Sequence, residues 1–182
     1  ISARPQRLLA TIRSRCQRVS FAPLAREQVH DFLLKRGMAA DRAALVAAYS
    51  DGSFGAAASL GEEGVLESRR ELIKAVVDLR RQNTLRVFSL ANEQSRVSGD
   101  ELQARLEALK TFYRDVVLLR SGADPARLIN VDLREAVARQ ARELTVEVAI
   151  GHIGRIDEVQ RLRRAYVDAL MLLEDLFFAL AS

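Results

Sequence analysis

Arg13-Ser14-Arg15-Cys16 is the stretch of this sequence best equipped for chemistry on an anion. Two guanidinium groups flank a hydroxyl. A guanidinium stays charged at neutral pH, and its planar donor fork matches the oxygens of a phosphoryl group. Residues 1–20 contain Arg4, Arg7, Arg13, Arg15 and Arg18 and no acid, a charge of +5. The rest of the chain carries 23 basic and 24 acidic side chains, so the net charge of +4 is local to the first segment. A phosphate-like partner at that segment fits this distribution, with a solvated basic connection as the plain alternative. The near-neutral remainder argues against a broad DNA-binding face.

Other chemistries are poorly served. Cys16 has no second cysteine to pair with, and neither it nor His30 and His152 falls into a local zinc-ligand spacing, so no metal is expected. Cys16 reads as a small buried apolar group rather than a catalytic thiol, and a reducing cytoplasm suits it. A phosphate loop with its lysine and a strand-borne acidic motif are both lacking, so this stretch of chain should not hydrolyse a nucleotide alone. No apolar run reaches the about 20 residues that cross a bilayer. The chain opens Ile1-Ser2-Ala3-Arg4, without methionine or a leader, and reads as a fragment or processed product. With 182 residues, 49% of them hydrophobic, it can fill the core of one compact domain or of two small ones.

The pattern of apolar residues predicts an all-α chain. A short strand over 18–21, from the alternation of Val19 and Phe21, ends before Pro23. Val29, Phe32 and Leu33 predict a helix over about 25–35, stopped by Gly37. Asp41 is the expected cap of a second helix ending at Tyr49, and Ser53 that of a third running through Leu60. A fourth begins near Gly64 or Val65 and carries Leu66, Ile73, Val76 and Val77. The polar patch Arg80-Arg81-Gln82-Asn83 then marks the expected domain boundary. Beyond it, Leu85, Phe88 and Leu90 predict a further helix. Ser98 and Glu101 have capping-box spacing ahead of Leu102, Leu106, Leu109, Phe112, Tyr113 and Val116. Asp132 with Glu135 is expected to box a helix over 133–142. A long helix follows from Thr145, with Val146, Ile150, Ile153, Ile156, Val159, Leu162 and Tyr166 spaced for packing. The apolar closing segment 170–180 suits packing within a domain or between subunits.

The opening residues resemble a known family. Pro5-x-x-Leu8-Leu9-x-Thr11-x-x-Ser14-Arg15-Cys16 is similar to the sensor-1 exit and Ser-Arg-Cys motif of the AAA+ clamp-loader subunits of bacterial DNA polymerase III. Asp51-Gly52-Ser53-Phe54-Gly55-Ala56-Ala57 resembles the lid of that family. Gly55 stands where ATP-binding members commonly carry a sensor-2 arginine, and Ser2 where threonine is frequent. The first departure points to the delta-prime branch rather than a gamma or tau motor subunit. Phe112-Tyr113-Arg114-Asp115-Val116-Val117, Asn130-Val131-Asp132 and the segment 168–180 resemble the helical collar more diffusely.

The resemblance implies the end of an AAA+ module over residues 1–20, a helical lid over 21–80 and an oligomerising collar over 81–182. It implies that Arg15 contacts, in trans, the γ-phosphate of ATP held with magnesium by a neighbouring motor subunit. Arg13 and Arg18 would support that anionic surface, and Tyr113, Arg114, Asp168 and Leu176 are the collar residues expected at subunit interfaces. Asn130 is expected to act as a turn or helix-start hydrogen bonder and Asp132 as a cap. The implied partners are gamma or tau and delta subunits in a hetero-pentamer and, through the assembly, the sliding clamp and primed DNA. A gamma or tau motor fragment and a helical adaptor outside replication are the alternatives.

Overall fold

The computed structural model describes residues 9–17, 19, 21–50, 52–61, 64–165 and 167–181, and among these no strand forms. The strand expected over 18–21 includes residues 18 and 20, which lie outside the described residues; Val19 and Phe21 are both exposed and irregular. The helices are α1 (Ala10–Arg13), α2 (Arg26–Lys35), α3 (Ala40–Tyr49), α4 (Phe54–Leu60), α5 (Val65–Val77), α6 (Thr84–Ser95), α7 (Gly99–Arg120), α8 (Arg134–Glu143), α9 (Val146–Arg163) and α10 (Ala169–Leu180). The all-α class read from periodicity is borne out.

Two apolar clusters organise these helices. The smaller joins Val29 and Leu33 of α2, Ala43, Val46 and Ala47 of α3, and Ala57 of α4, with Leu24, Phe32, Met38, Leu60 and Leu66 around it. Alanines on α3 let it lie close to α2, and the Phe32 and Phe54 rings meet at 4.3 Å between centroids. Gly52 lets the chain turn back here. Its φ is +74°, and a Cβ there would stand 2.5 Å from the Leu24 carbonyl oxygen. That close approach accompanies the hydrogen bond from Leu24 N–H to the Gly52 oxygen, 3.0 Å. Ser53 caps α4 as expected, its Oγ accepting from Ala56 N–H at 3.2 Å. Asp41 does not cap α3; Ala39 is the N-cap, and Asp41 sits in the first turn, where its charge suits the helix dipole.

The larger cluster runs from the second half of α5 to α10 and draws on residues either side of the Arg80–Asn83 patch. At its axis lies α7, whose Leu102, Leu106, Leu109, Phe112, Tyr113 and Val116 are all buried, as their spacing requires. Ser98 Oγ caps it by accepting from Glu101 N–H at 3.2 Å, while the Glu101 carboxylate turns outward to Arg105 instead of closing the box. On α6 the buried face is Val87, Leu90, Ala91 and Gln94 rather than Leu85 and Phe88, which are 83% and 42% exposed. Helix α9 is capped by Thr145, whose Oγ1 accepts from Val148 N–H at 3.3 Å. Its Ile150 is exposed, and Tyr166 lies outside the described residues. Helix α10 buries Leu172, Leu173, Leu176, Phe177 and Leu180 against α6 and α9, which accounts for its apolar sequence within the chain itself. Among the described residues no helix is long and apolar enough to cross a membrane.

Candidate functional site

Helix α1 is a single turn leading into the basic motif. Arg13 N–H donates to the Leu9 oxygen at 3.1 Å and Ser14 N–H to the Ala10 oxygen at 2.9 Å, while Ser14 Oγ donates to the Thr11 oxygen at 3.2 Å. The Ser14 hydroxyl is thus occupied in closing the turn, and the arginines either side of it project outward. Arg13 and Arg15 are exposed, and neither has an ion-pair partner among the described residues. An exposed guanidinium with no internal carboxylate keeps its full donor fork for an external anion. Arg4, Arg7 and Arg18, with Ser2, lie outside the described residues. Cys16 is exposed, not buried as its residue type suggested.

A second polar constellation, between the two apolar clusters, was not foreseen as a unit. Arg69 on α5 is 4% exposed and reaches Asp132 through both terminal nitrogens, Nη1 to Oδ2 at 3.1 Å and Nη2 to Oδ1 at 2.8 Å. Its guanidinium carbon lies 4.4 Å from the centre of the Tyr49 ring at the end of α3. Asn130 Oδ1 accepts from the Tyr49 hydroxyl and, at 3.4 Å, from Arg69 Nη2. Behind it, Asp115 of α7 collects three donors on Oδ2: Ile129 N–H at 2.9 Å, Asn130 N–H at 2.7 Å and Asn130 Nδ2 at 2.7 Å. Asp115 and Asn130 are wholly enclosed. Burial raises the Tyr49 phenol well above its ordinary range, against the lowering pull of Arg69, so the hydroxyl stays a donor.

This constellation corrects the reading of Asp132. It binds Arg69, with Arg70 Nε at 3.4 Å, and does not cap α8, which starts after a 3-10 turn at Val131–Leu133 with no side-chain cap. Asn130 is a hydrogen bonder, as expected, but across elements rather than at its own helix start. Arg69 and Asp115 carried a legible signal: each is a charge inside an apolar stripe, Arg69 between Leu66 and Ile73, Asp115 between Phe112 and Val116. Nothing local announced Tyr49 as their partner.

The remaining candidate residues lie apart. Tyr113 and Leu176 are 1% and 0% exposed, enclosed in this chain's own core and therefore able to support an interface only from beneath. Arg114 is half exposed and contacts Asp115 at 3.4 Å; Asp168 is exposed and caps α10, accepting from Met171 N–H at 3.0 Å. Gly55 is exposed on α4, and a Cβ there would meet only Ser53 Oγ, at 3.8 Å, so close packing does not demand glycine.

Residues 63–181, spanning α5 to α10, match the family described as DNA polymerase III, delta subunit, C terminal. The chain belongs to that family. Arg69, Asp115, Asn130 and Asp132 all fall inside the match. The chain is also 26% identical, over 99% of its length, to the DNA polymerase III subunit delta' of Bacillus subtilis strain 168. That likeness bears out the resemblance to the delta-prime branch read from the opening motif and Gly55. The chain spans 55% of the length of this relative. The delta C-terminal match begins at α5, so α1 to α4, with Arg15 and Gly55, rest on the delta-prime likeness.

Proposed function

We propose that this chain serves in a delta-prime-type subunit of the replication clamp loader, the ATP-driven assembly that places the sliding clamp on primed DNA. The family match over residues 63–181 carries the reading, and the delta-prime likeness over nearly the whole chain supports it. On this reading residues 21–80 act as the lid, its last helix α5 rooted in the larger apolar cluster, and 81–182 as the collar that joins gamma or tau and delta subunits in a cytoplasmic hetero-pentamer. ATP and magnesium are held by the neighbouring motor subunits. Arg15 extends to the γ-phosphate of that nucleotide, where a guanidinium offsets the charge that develops during phosphoryl transfer. Arg13 and Arg18 line the same anionic surface. Exposure of Arg15, with no carboxylate partner among the described residues, favours this role.

The test is turnover of ATP per assembled complex, with Arg15→Ala and Arg15→Lys in the full-length protein. Both variants should assemble. Alanine removes all five donors and should depress clamp-dependent turnover strongly; lysine keeps charge without the planar fork and should restore it only in part. Unchanged turnover in the assembled Arg15→Ala complex overturns the assignment of Arg15.

A further inference from the structure

The small bundle α2–α4 has its own apolar core, and its attachment to the large bundle is narrow. Leu66 joins the small cluster from α5, but between α4, α5 and the first half of α7 the surfaces part to leave a groove of about 690 Å³. Tyr49 and Arg69 line that groove. Through them α3 reaches residues of the large bundle by directed contacts.

We propose that Arg69 is a positioning residue: clamped between Tyr49 on one side and Asp132 and Asn130 on the other, it sets the angle at which α2–α4 stand on α5–α10. Three features of the cluster support this. Asp115 binds the Asn130 side-chain nitrogen, which orients the amide so that its oxygen faces Tyr49 and Arg69; the reversed amide would set its NH2 against the Arg69 guanidinium and its oxygen against the Asp115 carboxylate. The bidentate pairing with Asp132 constrains rotation of the guanidinium, which an apolar contact of the same area would leave free to slide. Finally, a buried ion pair commonly adds little net stability over a well-packed apolar replacement, so net stability alone does not account for this cluster. The angle matters because α1 and Arg15 precede α2 in the chain, so the stance of the small bundle bears on where Arg15 is delivered. That last step rests on the proposed clamp-loader reading; the angle itself does not.

Spin labels at Lys35→Cys on α2 and Glu135→Cys on α8, in a Cys16→Ser background of the full-length protein, report the angle as an interspin distance, read in the free protein and in the assembled complex. Both label sites are exposed. Tyr49→Phe keeps the ring and removes one hydroxyl; Arg69→Lys keeps the charge and removes the fork; Arg69→Met removes both. The expected result is a distance distribution that broadens and shifts in the order Tyr49→Phe, Arg69→Lys, Arg69→Met, with the helical circular dichroism of the parent retained in the first two. An unchanged distribution in Tyr49→Phe and Arg69→Lys overturns the proposal. So does broadening that comes only with loss of helical signal, since the cluster would then hold the fold and not an angle. Neither reading depends on ATP turnover, so failure of the clamp-loader assignment remains a separate result.

Discussion

Asp115 holds Asn130 by two bonds to one carboxylate oxygen, from the backbone N–H and from Nδ2, each 2.7 Å long, in a site closed to solvent. A helix residue thereby fixes both the course of the loop after α7 and the direction in which its amide points. Replacing Asp115 by alanine strands three donors in the interior. A loss of about 3–5 kcal/mol is expected, from leaving three buried neutral donors unpaired at about 1–3 kcal/mol each with partial relaxation. Urea denaturation of the variant should show a lower midpoint at unchanged slope, and a midpoint within error of the parent would remove Asp115 from the structural account.

His152 is 8% exposed, lies 4.7 Å from the Tyr113 ring centre, and has a buried Nδ1 without a partner among the described residues. Burial lowers its pKa below the ordinary 6.5. The unfolded chain therefore binds the proton first. This contribution to stability is fully present above about pH 6.5 and is lost as pH falls toward the folded-state value, by at most about 1.4 kcal/mol per pH unit. His152→Gln should flatten that part of the stability profile between pH 7.5 and 5.5. A slope identical in parent and variant would assign the acid sensitivity elsewhere.

Two leucines separate core from surface. Leu176 is fully enclosed, and Leu176→Ala should cost about 2–5 kcal/mol, with any loss of assembly following the loss of folding. Leu85 is 83% exposed, and Leu85→Ser should change stability by no more than about 0.5 kcal/mol. Thermal denaturation of the two variants side by side measures both. Equal destabilisation would contradict the placement of α6 with Val87 and Leu90 inward.

Asp168→Ala removes the side-chain acceptor for Met171 N–H at the start of α10. Loss of about 1 kcal/mol is expected, typical of an N-cap. Asp168→Asn or Asp168→Ser, which can still accept that bond, should recover most of it in equilibrium unfolding. If neither does, the carboxylate acts by charge or by a contact other than the cap.

Gly55 faces open space on α4, so Gly55→Ala should raise stability, by roughly 0.5–1 kcal/mol, through the smaller backbone entropy lost on folding. Gly55→Arg should fold as well as the parent in the same denaturation series. A destabilised alanine variant would show that the exposed face of α4 is tighter than its surroundings indicate.

Helix positions, the caps Ser53 and Ser98 and the seam of α7 were legible because a helix repeats its neighbours every three to four residues, and Leu102, Leu106, Leu109, Phe112 and Val116 declare one face without reference to anything distant. Ser53 and Ser98 needed only the amides three residues on. The exposed arginines of the opening motif were likewise readable from charge, since nothing acidic accompanies them in residues 1–20. Periodicity ranked Leu85 and Phe88 with Leu90, yet Val87 and Ala91 go inward beside Leu90, because the face α6 buries is set by where α10 lies. Asp132 had the spacing of a cap but was claimed by Arg69, 63 residues away in sequence. Tyr49, Arg69, Asp115 and Asn130 met only on folding: local spacing specifies which face of a helix is apolar, whereas pairing between helices depends on how those faces stack, and a buried charge takes whichever partner the stacking brings within hydrogen-bond reach.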